Sequence, residues 1–247
     1  MIPLLRGWTT VERTPKTNLR LGATLAFVAG ATNAGGFLAV GQYTSHMTGM
    51  VSSIADNLVL GQIALVMAGL SAVLAFLGGA MTTVWMVNWA LRRKLHSAYG
   101  RPLLVEAFLL LVFGLFGASI AHQGYLLVPL TVLILCYIMG LQNAVITKIS
   151  HAEIRTTHMT GLLTDLGIEL GKLLYVNRLD RTRPVRASRT RIRIQLTLVL
   201  CFLGGGVVGA LGFKHLGYIA TVPLAGLLVL LVVRPVLDDA RNWIHPH

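Results

Sequence analysis

The chain has 247 residues, 55% of them hydrophobic and only 12% charged, with a mean hydropathy of +0.71 and a formal net charge of +12. A soluble domain carries about a quarter charged residues, so this composition excludes an ordinary water-soluble fold. It points to an all-α, polytopic membrane helix bundle that forms a single membrane domain over residues 1–247. The two cysteines, Cys136 and Cys201, fall inside apolar runs and read as packing residues, neither a disulfide nor a metal site.

Charge-free runs of bilayer length place the expected elements in chain order. The first is Leu21–Val40, which has no small-residue cleavage site behind a short apolar core, so a cleaved signal peptide is not expected. Thr48–Leu60 follows, too short and too polar to span comfortably. Ala64–Leu91 is 28 residues long and must tilt, break near Gly78-Gly79 or run past the interface. Pro102–Ala121 and Leu126–Thr147 come next, joined by a short turn at His122–Tyr125. A second short polar segment, Thr160–Tyr175, precedes the last two spans, Ile194–Phe213 and Gly217–Val236. About six spans and two half-helices are therefore expected.

Lysine and arginine set the orientation. They cluster at Arg6, Arg13, Lys16 and Arg20, at Arg92, Arg93, Lys94 and Arg101, and in Arg178–Arg193, while the turns His122–Tyr125 and Lys214–Gly217 are nearly free of them. The positive-inside rule puts the three clusters and both termini in the cytoplasm. The expected location is then a bacterial-type cell inner membrane, crossed several times. The basic segment 178–193 is expected to meet anionic lipid and not nucleic acid. Self-association into a homo-oligomer is left open by the sequence.

The chain also repeats itself. Thr44-Ser45-His46-Met47-Thr48-Gly49 returns as Thr156-Thr157-His158-Met159-Thr160-Gly161, offset by 112 positions (158 − 46). Upstream, Gly30-Ala31-Thr32-Asn33-Ala34 matches Gly140-Leu141-Gln142-Asn143-Ala144, offset by 110 (143 − 33). Each half runs from a spanning helix through a link and an HMTG motif into a short polar helix, then two more spans. The half-repeats cover residues 19–122 and 125–236. With the topology above, the first spans of the two halves run in opposite directions, which makes a 3+3 inverted repeat. Short, interrupted hydrophobic segments at matching places of inverted halves are the best sequence pointer to a secondary transporter and to its binding site.

The motif residues suit such a site. Thr48 and Thr160 can cap helix starts with their hydroxyls, and Gly49 and Gly161 let a ligand or another backbone approach. Helix N-termini favour anions. His46, His158, Asn33 and Asn143 complete the expected substrate-binding set. The bland alternative is that the glycines only pack helices and that the histidines make structural hydrogen bonds. On the second short helix Asp165 and Glu169 share a polar stripe, answered in the first copy by Ser53 and Asn57 with Asp56 alongside. Two acids four residues apart repel when both are ionised, which gives a proton-coupling pair; the alternative is a helix lying flat with solvated acids. Glu106, near the cytoplasmic end of its span, is read as snorkelling or pairing with Arg101, and Gly204-Gly205-Gly206 with Gly209 as packing. No phosphate loop, GxSxG or HExxH is present, so no enzyme, cofactor or metal is expected.

On these motifs the chain resembles the YoaK-like family of bacterial membrane proteins. The resemblance rests on Ala29–Phe37, Ser45–Gly49 and Arg155–Gly167 and covers most of the chain, although family members often carry Asn after the first MTG where this chain has Met50. It implies a polytopic membrane protein and supplies no substrate. Transport of a small, anionic solute is the reading drawn from the repeat. The alternatives are a non-transporting scaffold or sensor, and an intramembrane enzyme that uses the histidines and acids.

Overall fold

The computed structural model describes residue 9 and residues 14–176 and 184–244, with side chains except for 116–127 and 242–244. Every regular element among the described residues is helical: α1 (Pro15–Val40), α2 (Met47–Val59), α3 (Ile63–Arg92), α4 (Arg101–Ile149), α5 (Met159–Leu174), α6 (Arg189–Leu216), a single 3₁₀ turn (Gly217–Ala220) and α7 (Thr221–Ile244). Among the described residues, four stretches are long and apolar enough to cross a membrane, namely Pro15–Val40, Ile63–Arg92, Val128–Ile149 and Arg189–Arg241, the last holding both α6 and α7. The protein is a polytopic helical membrane protein. Of the expected basic segments, Arg6, Arg13, Arg178, Arg181 and Arg183 lie outside the described residues.

Local chemistry sets the ends of these helices. Thr14 caps α1 by accepting from the Thr17 amide, while the Thr17 hydroxyl accepts in turn from the Thr14 amide, and Pro15 sits where its missing N–H costs nothing. This box starts α1 six residues before the expected Leu21. Gly41 closes the helix at φ 70°, a left-handed cap that suits glycine. The α3 helix runs unbroken for 30 residues through Gly78-Gly79. At about 45 Å it exceeds the hydrocarbon thickness, so of the three expected outcomes a break is excluded.

The helical assignment of α4 covers 49 residues and carries through the expected turn at His122–Tyr125, whose side chains lie outside the described residues. A straight helix would separate Glu106 from Gln142 by about 54 Å. Their side chains instead meet at 2.9 Å. The chain therefore doubles back between them, and α4 is two antiparallel arms; Pro129, inside the helix, lies in that interval and is a ready cause of a bend. The expected pair of helices is thus present, with the reversal formed by bent helix instead of a loop.

Backbone contact locks two helix pairs. Alpha-1 crosses α6 where an added Cβ on Gly30 would strike the Phe202 carbonyl and one on Gly205 the Phe27 carbonyl. Alpha-3 crosses the second arm of α4 in the same manner, Gly79 against the Tyr137 carbonyl and Gly140 against the Phe76 carbonyl. Helices in a membrane gain little from burying apolar surface against one another, so close backbone approach at small residues is what holds them. Leu21, Leu25, Leu110, Phe113, Ile138 and Leu228 are fully buried between α1, α4 and α7. The outer face of α3 (Leu65, Leu74, Leu77, Met81, Trp85) is exposed, as a lipid-facing surface would be. At the end carrying Arg92–Lys94, Asp239 of α7 accepts from the backbone amides of His96 and Ser97 and from the Ser97 hydroxyl at 2.6–2.9 Å, tying the α3–α4 link to α7.

Candidate functional site

Both HMTG motifs are helix starts, capped two residues earlier than the threonines suggest. The N-caps are His46 and His158, and neither donates or accepts a side-chain capping bond. Thr48 and Thr160 therefore sit inside the first turn and do not cap; Thr160 instead offers its carbonyl to the Thr164 hydroxyl at 2.8 Å. The glycines have a definite role in this geometry. An added Cβ on Gly49 would fall 2.5 Å from Nδ1 of His46, and one on Gly161 would meet Nδ1 of His158 even more closely. Each histidine ring thus folds back over its own helix start and rests on the glycine three residues on. The glycines make room for the motif's own ring, where the sequence suggested room for a ligand or for helix packing.

Asparagine holds each motif in place. The amide and hydroxyl of Ser45 donate to Oδ1 of Asn33 at 3.3 and 3.1 Å. In the second copy the hydroxyls of Thr157 and Thr156 donate to Oδ1 of Asn143 at 2.9 and 3.4 Å. Asn33 and Asn143 are thus occupied with the links that carry the histidines, and they pin each link to the preceding long helix.

The two motifs converge on one cavity of about 640 Å³. Apart from Thr147, its wall is made of matched residues from the two copies: Asn33 with Asn143, Ser45 with Thr157, His46 with His158, Met47 with Met159, Thr48 with Thr160, and Phe76 with Phe202. Six of the eight expected substrate-binding residues line it. Gly49 borders a smaller adjoining cleft with His46 and Ser53, and Gly161 lines neither. One matched pair is chemically unlike. Tyr43, stacked on Phe37 with ring centroids 4.6 Å apart, corresponds to Arg155. Among the described residues Arg155 is the sole arginine or lysine in the wall, and its guanidinium lies 3.4 Å from Nδ1 of His158. Arg155 belongs to the stretch that carries the resemblance but not to the expected substrate-binding set; the offset of 112 carried one turn upstream, from His46 and His158 to Tyr43 and Arg155, is the signal that finds it.

The acids stand elsewhere. Asp56 and Asp165 are exposed, and neither lines the cavity. Glu169 is buried and fully engaged: Lys172 donates to Oε1 at 2.7 Å, the Ser188 amide donates to Oε2 at 2.6 Å, and Arg191 lies 4.0 Å away. The Lys172 bond first, then the Ser188 amide, hold its carboxyl below the usual carboxylate range. Ser188 in turn caps α6. Glu169 therefore fastens α5 to the start of α6 as an ion, which is the opposite of a group poised to take up a proton. The first copy makes its equivalent bond without charge, Asn57 donating to the Ser53 carbonyl and hydroxyl at 2.7 and 3.0 Å.

Glu106 neither snorkels nor pairs with Arg101. It is fully buried against Gln142, while Arg101 donates to Ser97 and stacks over Trp89.

Comparison with known proteins places the chain among membrane proteins. The family described as "Protein of unknown function (DUF1275)" matches residues 21–234. The UPF0700 transmembrane protein YoaK of Bacillus subtilis is 25% identical over 203 residues, covering 81% of this chain and 86% of that protein. The UPF0700 transmembrane protein RA0705 of Rhizobium meliloti is 28% identical over 233 residues, 94% of this chain and 92% of that protein. No solved structure matches the chain.

Proposed function

The chain belongs to the DUF1275 family, and we propose that within it this protein is a secondary transporter of a small anionic solute, bound in the cavity between the two HMTG helix starts. The observation that carries this reading is the cavity wall, where the same positions of two half-chains face a shared space from helices that begin there. Half-helices that start at a cavity are the form in which membrane transporters offer free backbone donors to a substrate. Arg155 adds a fixed positive charge with a planar set of donors, suited to a carboxylate or phosphate. Wall positions such as Phe76, Phe202, Met47 and Met159 favour a solute with a modest apolar part.

In this reading α1, α3, the two arms of α4, α6 and α7 are six crossings, with the basic segments and both termini in the cytoplasm of a bacterial inner membrane. The halves are inverted: α1 packs on α6 as the second arm of α4 packs on α3, through glycines offset by 110 (140 − 30) and 126 (205 − 79). Alpha-2 leads from the cavity to the outer face and α5 to the cytoplasmic face, where residues 184–193 meet anionic lipid. A rocking of one half on the other would open the cavity to either side.

The test is counterflow in proteoliposomes with radiolabelled small carboxylates and phosphate esters. Saturable accumulation of one of them, lost in Arg155→Ala, is the expected result. Protein-containing vesicles indistinguishable from empty ones across the panel would favour the scaffold or sensor alternative, and product formation without accumulation would favour an intramembrane enzyme.

A further inference from the structure

Glu106 has no place in the cavity wall. It sits on the first arm of α4 with 0% of its surface exposed, flanked by the buried Leu103, Ala107 and Leu110. Its Oε1 accepts from Nε2 of Gln142 at 2.9 Å, and the same nitrogen donates to the Leu25 carbonyl of α1 at 3.2 Å. The remaining oxygens of the pair, Oε2 of Glu106 and Oε1 of Gln142, are both buried without a hydrogen-bond partner. The elements around the acid bring no compensating charge. Alpha-1 offers a carbonyl, the second arm of α4 an amide, and the buried face of α7 is leucine, valine, alanine, threonine and proline, with no charged group. Among the described residues no lysine, arginine or histidine lies within ion-pair distance of it.

A carboxylate in this setting would keep one oxygen bare in a low-dielectric interior, with no opposite charge to offset its desolvation. A hydrogen on Oε2 removes the conflict. A carboxylic acid and a primary amide each present one donor beside one acceptor. With the Oε1–Nε2 bond already made, the hydroxyl of the acid supplies the donor that Oε1 of Gln142 lacks, and rotation of the two end groups closes a two-point pair. Gln142 is followed in the chain by Asn143, whose amide oxygen holds the link to His158.

We propose that Glu106 is a proton-binding site inside the membrane, held neutral by its dry, uncharged surroundings and paired at two points with Gln142, and that its proton is the one coupled to solute movement. The coupling rests on the transport reading; the site does not. Loading makes one O–H bond with a proton from water on one side of the membrane, and release returns that proton to water on the other, with no other bond made or broken. The pair joins α1, α4's two arms and, through Asn143, the cavity, so a shift of one half against the other that parts Glu106 from Gln142 and lets water in removes the dry surroundings that keep the acid neutral. Asp165 and Glu169, the acids that the sequence suggested, are replaced in this role.

The test is infrared spectroscopy of the full chain in phosphatidylcholine vesicles at neutral pH, reading the C=O stretch of protonated carboxyls, with ¹³C-glutamate labelling to separate Glu from Asp. The wild type should show one labelled, protonated Glu band. Glu106→Gln should abolish it; the amide keeps the two-point geometry, so the variant should elute as the wild type does. In Gln142→Leu the band should persist at a shifted frequency, because the acid has lost its amide partner. Absence of a protonated Glu band in the folded wild type, or a band indifferent to both substitutions, would overturn the proposal. The outcome does not depend on finding the solute: a Glu106 band in a protein that moves no anion leaves the site standing and removes only the coupling.

Discussion

The two halves of this protein keep the same skeleton and differ in their chemistry. Where backbones touch, they agree: Gly30 and Gly140, Gly79 and Gly205 occupy matching crossings, and each would place a Cβ on a carbonyl oxygen of the opposing helix. At one position of the cavity wall and along the short helices, they diverge. The first copy has a stacked Tyr43 and a neutral Ser53–Asn57 bond; the second has Arg155 against His158 and a charged Lys172–Glu169–Ser188 bond. Thr32 and Gln142 likewise match in position and in complete burial, but only Gln142 meets an acid. Helix crossings tolerate no extra atoms and so preserve the repeat, whereas a binding site for an asymmetric solute gains from two unlike walls.

The largest effect should come from breaking the shared skeleton. Gly140→Val or Gly205→Val forces the helices apart at a backbone contact, at a cost of about 3 kcal/mol or more, and should leave little folded protein by detergent size-exclusion. Gly204→Ala, at the neighbouring position where an added Cβ meets nothing within 4 Å, should express and elute like the wild type. Equal losses at Gly204 and Gly205 would mean that the triple-glycine segment serves flexibility and not this contact.

The next effect should come from erasing the difference between the walls. Arg155→Tyr copies the first half onto the second. It should leave folding intact and weaken solute binding about tenfold or more, the worth of one charge-assisted contact. Tyr43→Arg, the reverse exchange, should weaken it far less. Counterflow titrations of both variants measure the ratio; equal losses would place the solute symmetrically between the halves.

Much of this architecture is legible in the sequence, because charge-free length and an internal repeat report directly on membrane crossings. The helix starts at His46 and His158 are not, since histidine is a poor capping residue and the threonine two positions on is a better one by propensity. The reversal inside α4 is legible as the gap between two apolar runs at His122–Tyr125; what is hidden is that helix carries through it, because the sequence there holds few loop residues. Glu106 is misread because a span-end acid five residues from Arg101 looks like a local pair, while its partner Gln142 lies 36 positions away. Six of the cavity residues are found through the repeat, and Arg155 is overlooked because an arginine among polar link residues resembles solvent-facing chain.

A smaller effect concerns the charged bond peculiar to the second copy. Glu169 titrates below the usual carboxylate range when folded, so its contribution is fully present above that range and is lost as pH falls through its lowered value. Thermal unfolding should therefore separate wild type from Glu169→Gln at neutral pH, and the gap should close on acidification. A gap that widens in acid would contradict the sign. Asp165→Asn, at an exposed position, should change unfolding least of all.

In the proposed topology the two half-helices lead from one cavity to opposite faces of the membrane. The links that follow them are the direct reporters: Gln62 between α2 and α3, and Arg186 between α5 and α6, both exposed. In a background lacking Cys136 and Cys201, single Gln62→Cys and Arg186→Cys variants can be treated with an impermeant thiol reagent on intact cells. Gln62→Cys should be labelled at once and Arg186→Cys only after the membrane is opened. Labelling of both from the same face would contradict this topology, since the halves would then not be inverted and the cavity would not lie between opposed helix starts.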